Sequence, residues 1–489
     1  MEVVVHIVQV SSEIVPWSKV GGLGDVSGAL PSALAARSHR VITVAPRYRA
    51  DPEQRDTGWR TQVWLGGVVH DLAWFALERA GVLHLFVDHV SYRREGIYGD
   101  EFGAYGDNLL RFALLCRAAL QLIDLPIPGG PLADDVVWHC NDWHAGLLPV
   151  YLDAVYRPVG RQLRASTVLA IHNAGHFGQE GAEQFGILDL SPRWWSTCDF
   201  DGALNPLKAG VVSADQLVTV SPTYARELTA DGAGGLQALL VQRAPLFRGI
   251  VNGVGPEWDP RTDMRLPARY SAADRRGKAD CKSVLQEHFG LQLRSDIPLI
   301  AFVGRLVPQK GVDLLRSVAD RLIDEDVQLV LLGTGQRELE DWLRAAPGLR
   351  PGWWGSHVGY SEDLAHLIEA GADMFVMPSR FEPCGLNQLY SMRYGTLPIV
   401  HAVGGLADTV EPIDEDSTVG TGFRFDEPTI DAFEVAVRAA LRLYRRAEHW
   451  NAAVDRAMAA DWSWAEAAAS YEAVYLLAQA SRSAGDAQV

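Results

Sequence analysis

Short apolar runs rich in Val and Ile recur along the chain, each followed by a turn signal and then a segment of helical period. Val3 to Val10, Val41 to Ala45, Leu83 to Val87, Val136 to His139, Thr167 to Ile171 and Gln216 to Val220 are such runs. None alternates strictly between apolar and polar residues, so both faces of each strand are expected to be buried, as in a parallel sheet. Strands alternating with helices predict right-handed βαβ units and a doubly wound sheet. The pattern restarts after Ile250-Val251-Asn252-Gly253, where a polar, Pro-containing stretch from Pro256 to about Asp296 includes one helix. A second series of runs follows at Pro298 to Val303, Gln328 to Leu332, Asp373 to Met377 and Leu397 to Val400. Ser361 through Glu369 reads as an intervening helix with Ser361 as its N-cap. The tail from Ala447 to Gln479 reads as helical, broken around Asp461-Trp462-Ser463-Trp464, with Ser463 placed to cap the last helix.

The predicted architecture is α/β: a Rossmann-like domain over 1–252, a second over 253–465, and a C-terminal helix over 466–489. The length of 489 residues supports this, since it exceeds what one hydrophobic core usually sustains. Two such domains are expected to face each other across a cleft, with ligands at the carboxyl ends of the strands. Function is therefore sought in the loops after strands.

Composition changes the picture little: 48% hydrophobic and 21% charged residues describe an ordinary globular chain. The net charge of −17 is more informative. It argues against nonspecific binding to nucleic acid or to an anionic membrane, and any anionic substrate must be held by a few local cations. The five cysteines are scattered without a C-x-x-C pair, which fits a reducing compartment. The N-terminus shows no basic leader, and no apolar run approaches the roughly 18 residues of a membrane span. A cytoplasmic protein is expected.

The first loop of interest is Lys19-Val20-Gly21-Gly22-Leu23-Gly24-Asp25. Its glycines would let the backbone approach a phosphate, with a helix N-terminus behind them and Lys19 adding a point charge. A tight strand-to-helix turn is the other reading of the same residues. A dinucleotide dehydrogenase would show G-x-G-x-x-G and an acid ending the next strand. Ser27 stands in place of the third glycine, and the strands end Ala45-Pro46-Arg47 and Gly333-Thr334-Gly335, so NAD is disfavoured.

The second domain opens with Gly304-Arg305-Leu306-Val307-Pro308-Gln309-Lys310-Gly311. Arg305 and Lys310 combine a forked donor with a mobile charge, which suits a diphosphate leaving group. The densest signal is Pro378-Ser379-Arg380-Phe381-Glu382-Pro383-Cys384-Gly385-Leu386. It sets Glu382 at a strand end and the N–H groups of Gly385 and Leu386 before a helix. Cys384 can be read as a nucleophile or, as is commoner, a small packing residue. Asp142, after its own strand, reads as a cap of the helix through Tyr151 or as a ligand-facing acceptor, and the residue types favour the cap. His172 sits directly at a strand end, whereas His139, His144 and His176 read as structural. Tyr360 can stack a base or pack beneath its loop. No His/Asp/Glu cluster has metal-ligand spacing, so no metal and no other cofactor is expected.

Taken together, these residues resemble the bacterial glycogen synthases and plant starch synthases of glycosyltransferase family 5. The matches run from Ser11-Ser12-Glu13 and the Lys19 loop through Asp142-Trp143-His144, His172-Asn173 and Val220-Ser221-Pro222-Thr223-Tyr224. They continue with Asn252-Gly253, Arg305 and Lys310, Glu382 to Leu386, and Gly404-Gly405-Leu406-Ala407-Asp408-Thr409-Val410. The resemblance implies a GT-B fold whose last helix crosses back to the first domain. It also implies retaining transfer of glucose from ADP-glucose to the non-reducing end of an α-1,4-glucan such as glycogen. Carried onto this chain, Lys19 with Gly21, Gly22 and Asp25 of its loop would contact the donor. Arg305 and Lys310 would bind the diphosphate. Glu382 would hold the glucose hydroxyls with N–H groups at Cys384, Gly385 and Leu386, and His172 would contact the donor glucose. Asp142 and Asn252 would line the sugar site, and Tyr360 would lie against the adenine. Closure over the donor is expected, with a hinge near Asn252-Gly253 and the break before the final helix. Val20 stands where this family usually has Thr, and His176-Phe177-Gly178 where Tyr-Gln-Gly is common. Tyr390 occupies a position where many sugar-nucleotide transferases carry a second Glu but family 5 has Tyr. A relative using UDP-glucose or a small acceptor, and a glucan-binding protein without catalysis, are the alternative readings.

Overall fold

A computed structural model of the chain describes residues 4–230, 232–414, 416 and 418–486. Val3 of the first predicted run and 487–489 of the predicted last segment lie outside them. The chain divides into two compact units, Met1–Gly253 with Trp464–Val489, and Val254–Ser463.

Unit 1 is built on a nine-stranded sheet. In chain order its strands are β1 (His6–Val10), β2 (Arg40–Pro46), β3 (Arg55–Leu65), β4 (Val68–Arg79) and β5 (Val82–Asp88). A short ribbon, β6 (Gly99–Asp100) and β7 (Gly103–Ala104), precedes β8 (Val137–Asn141) and β9 (Ser166–Ile171). A small three-stranded sheet, β10 (Glu180–Gly181), β11 (Asp199–Phe200) and β12 (Ala203–Leu204), stands apart before β13 (Gln216–Thr219) and β14 (Phe247–Gly249). The lateral order of the large sheet is β14-β13-β9-β8-β1-β2-β5-β4-β3. Every pair from β14 to β5 is parallel, and the strands there are buried on both faces, as their unbroken apolar runs predict. The hairpin β3–β4 was not among the predicted strands. It pairs antiparallel, and inward Thr61, Val63 and Leu65 alternate with exposed Arg60, Gln62 and Trp64. It is a half-solvated edge that carries a period of two rather than an apolar run.

The final helix, Trp464–Asp486, belongs to unit 1. Ala467, Ala468, Tyr471, Val474, Tyr475 and Ala478 are buried, a stripe of helical period that packs on the helix Gly22–Ala36 and on the sheet. Tyr475 Oη lies 2.7 Å from His139 Nδ1, so His139 is a core residue beneath this helix. A Cβ on Gly253 would lie 2.6 Å from the backbone of Trp464, which explains a glycine where the chain leaves and re-enters the unit.

Unit 2 carries a six-stranded, wholly parallel sheet of order β17-β16-β15-β18-β19-β20. The strands are β15 (Leu299–Val303), β16 (Gln328–Gly333), β17 (Trp354–Val358), β18 (Met374–Met377), β19 (Leu397–His401) and β20 (Phe423–Phe425). Ser361 caps the helix Glu362–Gly371 as predicted, its Oγ accepting from Leu364 N. In each unit the order reverses at the first strand, between β1 and β8 and between β15 and β18. In open parallel sheets ligands bind at that reversal, outside the carboxyl ends of the strands.

Candidate active site

In unit 1 the reversal is occupied by loops after β1, β8 and β9. Glu13, three residues past β1, is buried and accepts from Val20 N at 2.6 Å, Gly21 N at 3.0 Å and Tyr98 Oη at 2.5 Å. Burial raises its pKa despite those donors. Two N–H groups that the sequence offered to a phosphate therefore point at this carboxylate. Gly21 still faces open space, since a Cβ there would meet nothing within 4 Å. Gly22 begins the helix, and Lys19 pairs with Asp25 at 2.7 Å in a partly exposed bridge.

Asp142 departs from the favoured reading. Asn141 holds the cap position of the short helix Asp142–Ala145, and Asp142 adopts φ +52°. Its Oδ1 accepts from His172 N at 2.7 Å and Asn173 N at 3.4 Å, so it joins the β8 and β9 loops instead of capping. Burial pushes its pKa up to about 7. His172 Nε2 meets Asn141 Oδ1 at 2.8 Å, and burial lowers that imidazole to about 4, which favours the neutral ring. Tyr224 closes the arrangement by accepting from Ala174 N through its hydroxyl. His144 stacks on Tyr98 with ring centroids 4.8 Å apart. Asn252 lies past β14, with its Oδ1 buried and lacking a hydrogen-bond partner.

In unit 2 the loops after β15 and β18 meet. Lys310 Nζ donates to Glu382 Oε2 at 2.5 Å, and Ser379 Oγ donates to the same oxygen at 3.0 Å. The loops are braced by side chains that the sequence reading did not single out. Gln309 Nε2 donates to Phe381 O, Asn387 Nδ2 to Val303 O, and Arg380 binds Pro308 O and both oxygens of Asp313. Arg305 is exposed, its guanidinium 3.2 Å from Gln309 Oε1. Gln388 donates to the carbonyls of Cys384 and Gly385 and so fixes the orientation of those peptides. Leu386 precedes the helix Asn387–Arg393, and Gly385 takes φ +73°. Gly404 sits against this turn with φ +43°, and a Cβ there would come 1.9 Å from Glu382 O. Cys384 is buried, the packing alternative of its two readings. Tyr360, just past β17, is 75% exposed with its hydroxyl 3.4 Å from Glu362. Tyr390 lies parallel to Trp258 at 4.0 Å, and His366 covers the other face of that indole at 3.6 Å.

Among the described residues no group of three or more His, Cys, Asp or Glu is arranged to hold a metal ion, and no helix is long and apolar enough to cross a membrane.

Comparison with known proteins decides the family. A family model described as "Starch synthase catalytic domain" matches residues 6–242, and one described as "Glycosyl transferases group 1" matches 284–456. The chain is 48% identical to the glycogen synthase of Anaeromyxobacter sp. (strain Fw109-5) over 96% of this chain and 98% of that one. This chain belongs to the glycogen and starch synthase family. It is a glycosyltransferase, as the site residues led one to expect. Starch synthase 1 of Triticum aestivum is a further member of this family, 43% identical over 96% of this chain and 77% of that one. The catalytic domain of Starch Synthase IV from Arabidopsis thaliana, solved bound to ADP and acarbose, superposes with a TM-score of 0.89 at 30% identity. It covers 98% of this chain and 100% of that chain. A sucrose-phosphate synthase from Thermosynechococcus elongatus, 18% identical with a TM-score of 0.58, shares the fold alone. The fold is GT-B, with two Rossmann-like units, as expected.

Proposed function

We propose that the protein transfers glucose from ADP-glucose to the non-reducing end of an α-1,4-glucan such as glycogen, retaining the anomeric configuration and releasing ADP. The observation that carries this reading is the Lys310–Glu382 contact at the strand-order reversal of unit 2, in a chain 48% identical to a glycogen synthase over nearly its full length.

In the reaction the C1–O bond to the diphosphate breaks, its electron pair leaving on ADP, while the acceptor 4-hydroxyl oxygen bonds to C1 and its proton passes to the departing diphosphate. The leaving diphosphate gathers negative charge, and Arg305 and Lys310 are assigned to it, as preorganised cations lower the barrier most where charge develops. No metal is invoked for that role. Glu382 is assigned to the glucose hydroxyls, with the N–H groups of Cys384 to Leu386. His172, neutral at physiological pH, is suited to hydrogen-bond an uncharged sugar. Asp142 and Asn252 are assigned to the sugar, Lys19 to the donor and Tyr360 to the base. Five free, buried cysteines suit a reducing, cytoplasmic setting.

The test is nucleoside diphosphate release by the purified protein with glycogen and equal ADP-glucose or UDP-glucose, in the presence of a chelator. Glycogen-dependent ADP release is the expected result. UDP release would overturn the donor, and release abolished by the chelator would overturn the metal-free reading. No release with either donor would leave a glucan-binding protein as the better account.

A further inference from the structure

We propose that Phe102 is a stacking platform for the glucan acceptor. The inference rests on the reading above that the acceptor is an α-glucan.

Phe102 stands at the turn of the β6–β7 ribbon and is 90% exposed, the most exposed large hydrophobic side chain among the described residues. Its exposure is built in. Phe102 N donates to Asp100 Oδ1 at 2.9 Å, and Gly103 takes φ +126°. A Cβ on Gly99 would lie 2.1 Å from Gly103 O, so the two strands of the ribbon run close together. The base is equally fixed. Tyr105 N and Asn108 Nδ2 both donate to Tyr98 O, and the buried Arg111 donates to Ile97 O.

The ribbon springs from Tyr98, a residue of the unit 1 site. Tyr98 donates to Glu13 Oε1 and stacks on His144, and Phe102 follows it by four residues, a reach of at most about 14 Å. Val20, whose N–H is held by Glu13 Oε2, also turns its side chain outward at 64% exposure. A buried polar network thus has apolar side chains presented to solvent beside it.

Glucose fits such a surface because a pyranose ring has C–H faces as well as hydroxyl edges. The π-face of an aromatic ring is negative and attracts polarised C–H groups, while Phe has no polar atom with which to select a particular hydroxyl. A platform of this kind reads the repeated face of a polymer, suiting a chain that advances by one unit each turnover. It has no charge with which to engage a diphosphate, so the donor should not sense it.

The experiment compares wild type, Phe102→Ala and Phe102→Trp in two assays. One is electrophoresis through native gels cast with glycogen, which reads binding without turnover. The other is steady-state ADP release with glycogen and ADP-glucose varied separately. Phe102→Ala is expected to lose retardation in glycogen gels and to raise KM for glycogen roughly three- to tenfold, the size of one aromatic contact. KM for ADP-glucose and kcat at saturating glycogen should hold, and Phe102→Trp should restore both glycogen readouts. Unchanged retardation and glycogen KM in Phe102→Ala, or an equal rise in KM for both substrates, would overturn the platform. Failure of the wild type to release ADP would instead strike the reaction itself, and the gel assay would still judge Phe102.

Discussion

Lys310 donates to Glu382 across 2.5 Å, although 72 residues separate them. Their side chains are 20% and 9% exposed, so the pair is shielded enough for its charges to act strongly on a bound group. In Lys310→Ala, transfer should fall by about 10²–10³-fold or more, as when one transition-state donor is removed. The circular dichroism spectrum should stay that of the wild type. A well-folded, fully active variant would remove Lys310 from the mechanism.

Gly404 is a position where a single methyl group should matter. With φ +43° and Glu382 O only 1.9 Å from an added Cβ, Gly404→Ala must move the turn that carries Glu382. Strain of this kind costs on the order of 1–3 kcal/mol. The expected result is a lower melting temperature with a larger loss in kcat than in secondary structure. A variant matching the wild type in both would show that the turn is freer than its packing implies.

The Trp258 sandwich makes a prediction about stability. Trp258 is covered by His366 and by Tyr390, which lies on the helix following the Glu382 loop. Trp258→Ala should cost about 3 kcal/mol, and Trp258→Phe markedly less because one stacked ring remains. Urea unfolding of the two variants against wild type checks the order.

Asp142 and His172 oppose one another in pH. Asp142 ionises near 3.8 in the unfolded chain and about 7 when buried, so between those values the folded protein keeps a proton that the unfolded chain has lost. Stability from that proton is complete below the lower value and is lost as pH rises through the higher one. His172 runs the other way. Its pKa falls from 6.5 to about 4, so its contribution is complete above 6.5 and is lost as pH falls toward 4. Asp142→Asn keeps an acceptor for His172 N and removes only the first effect. Its melting temperature relative to wild type should climb from about pH 4 to 7 and then level off. A difference independent of pH would contradict the burial argument.

Much of this was readable before any coordinates, for physical reasons that differ by region. Strands buried on both faces are predominantly apolar, so β1, β2, β8, β9, β15, β16, β18 and β19 announced themselves. The β3–β4 hairpin did not, because it is half-solvated and alternates. The Glu382 turn was visible because its backbone geometry demands glycine at Gly385 and, packed against it, at Gly404. The partners were not visible. Nothing local in Ser11-Ser12-Glu13 shows that Glu13 holds the N–H groups of Val20 and Gly21. Asp142 followed the residue statistics of caps, while tertiary contact gave it the N–H groups of His172 and Asn173. Gln309, Arg380 and Asn387 brace the loops across sequence gaps that no periodicity spans.

The central claim is that this chain lengthens an α-1,4-glucan at its non-reducing ends from a nucleotide-activated glucose. The most direct test is to incubate wild type and Lys310→Ala with ADP-[14C]glucose and glycogen, then digest the washed polymer with β-amylase. The account predicts that wild type places label in glycogen, that β-amylase releases it as maltose, and that Lys310→Ala incorporates almost none. Absence of label in the wild-type polymer, or label resistant to β-amylase, would contradict it.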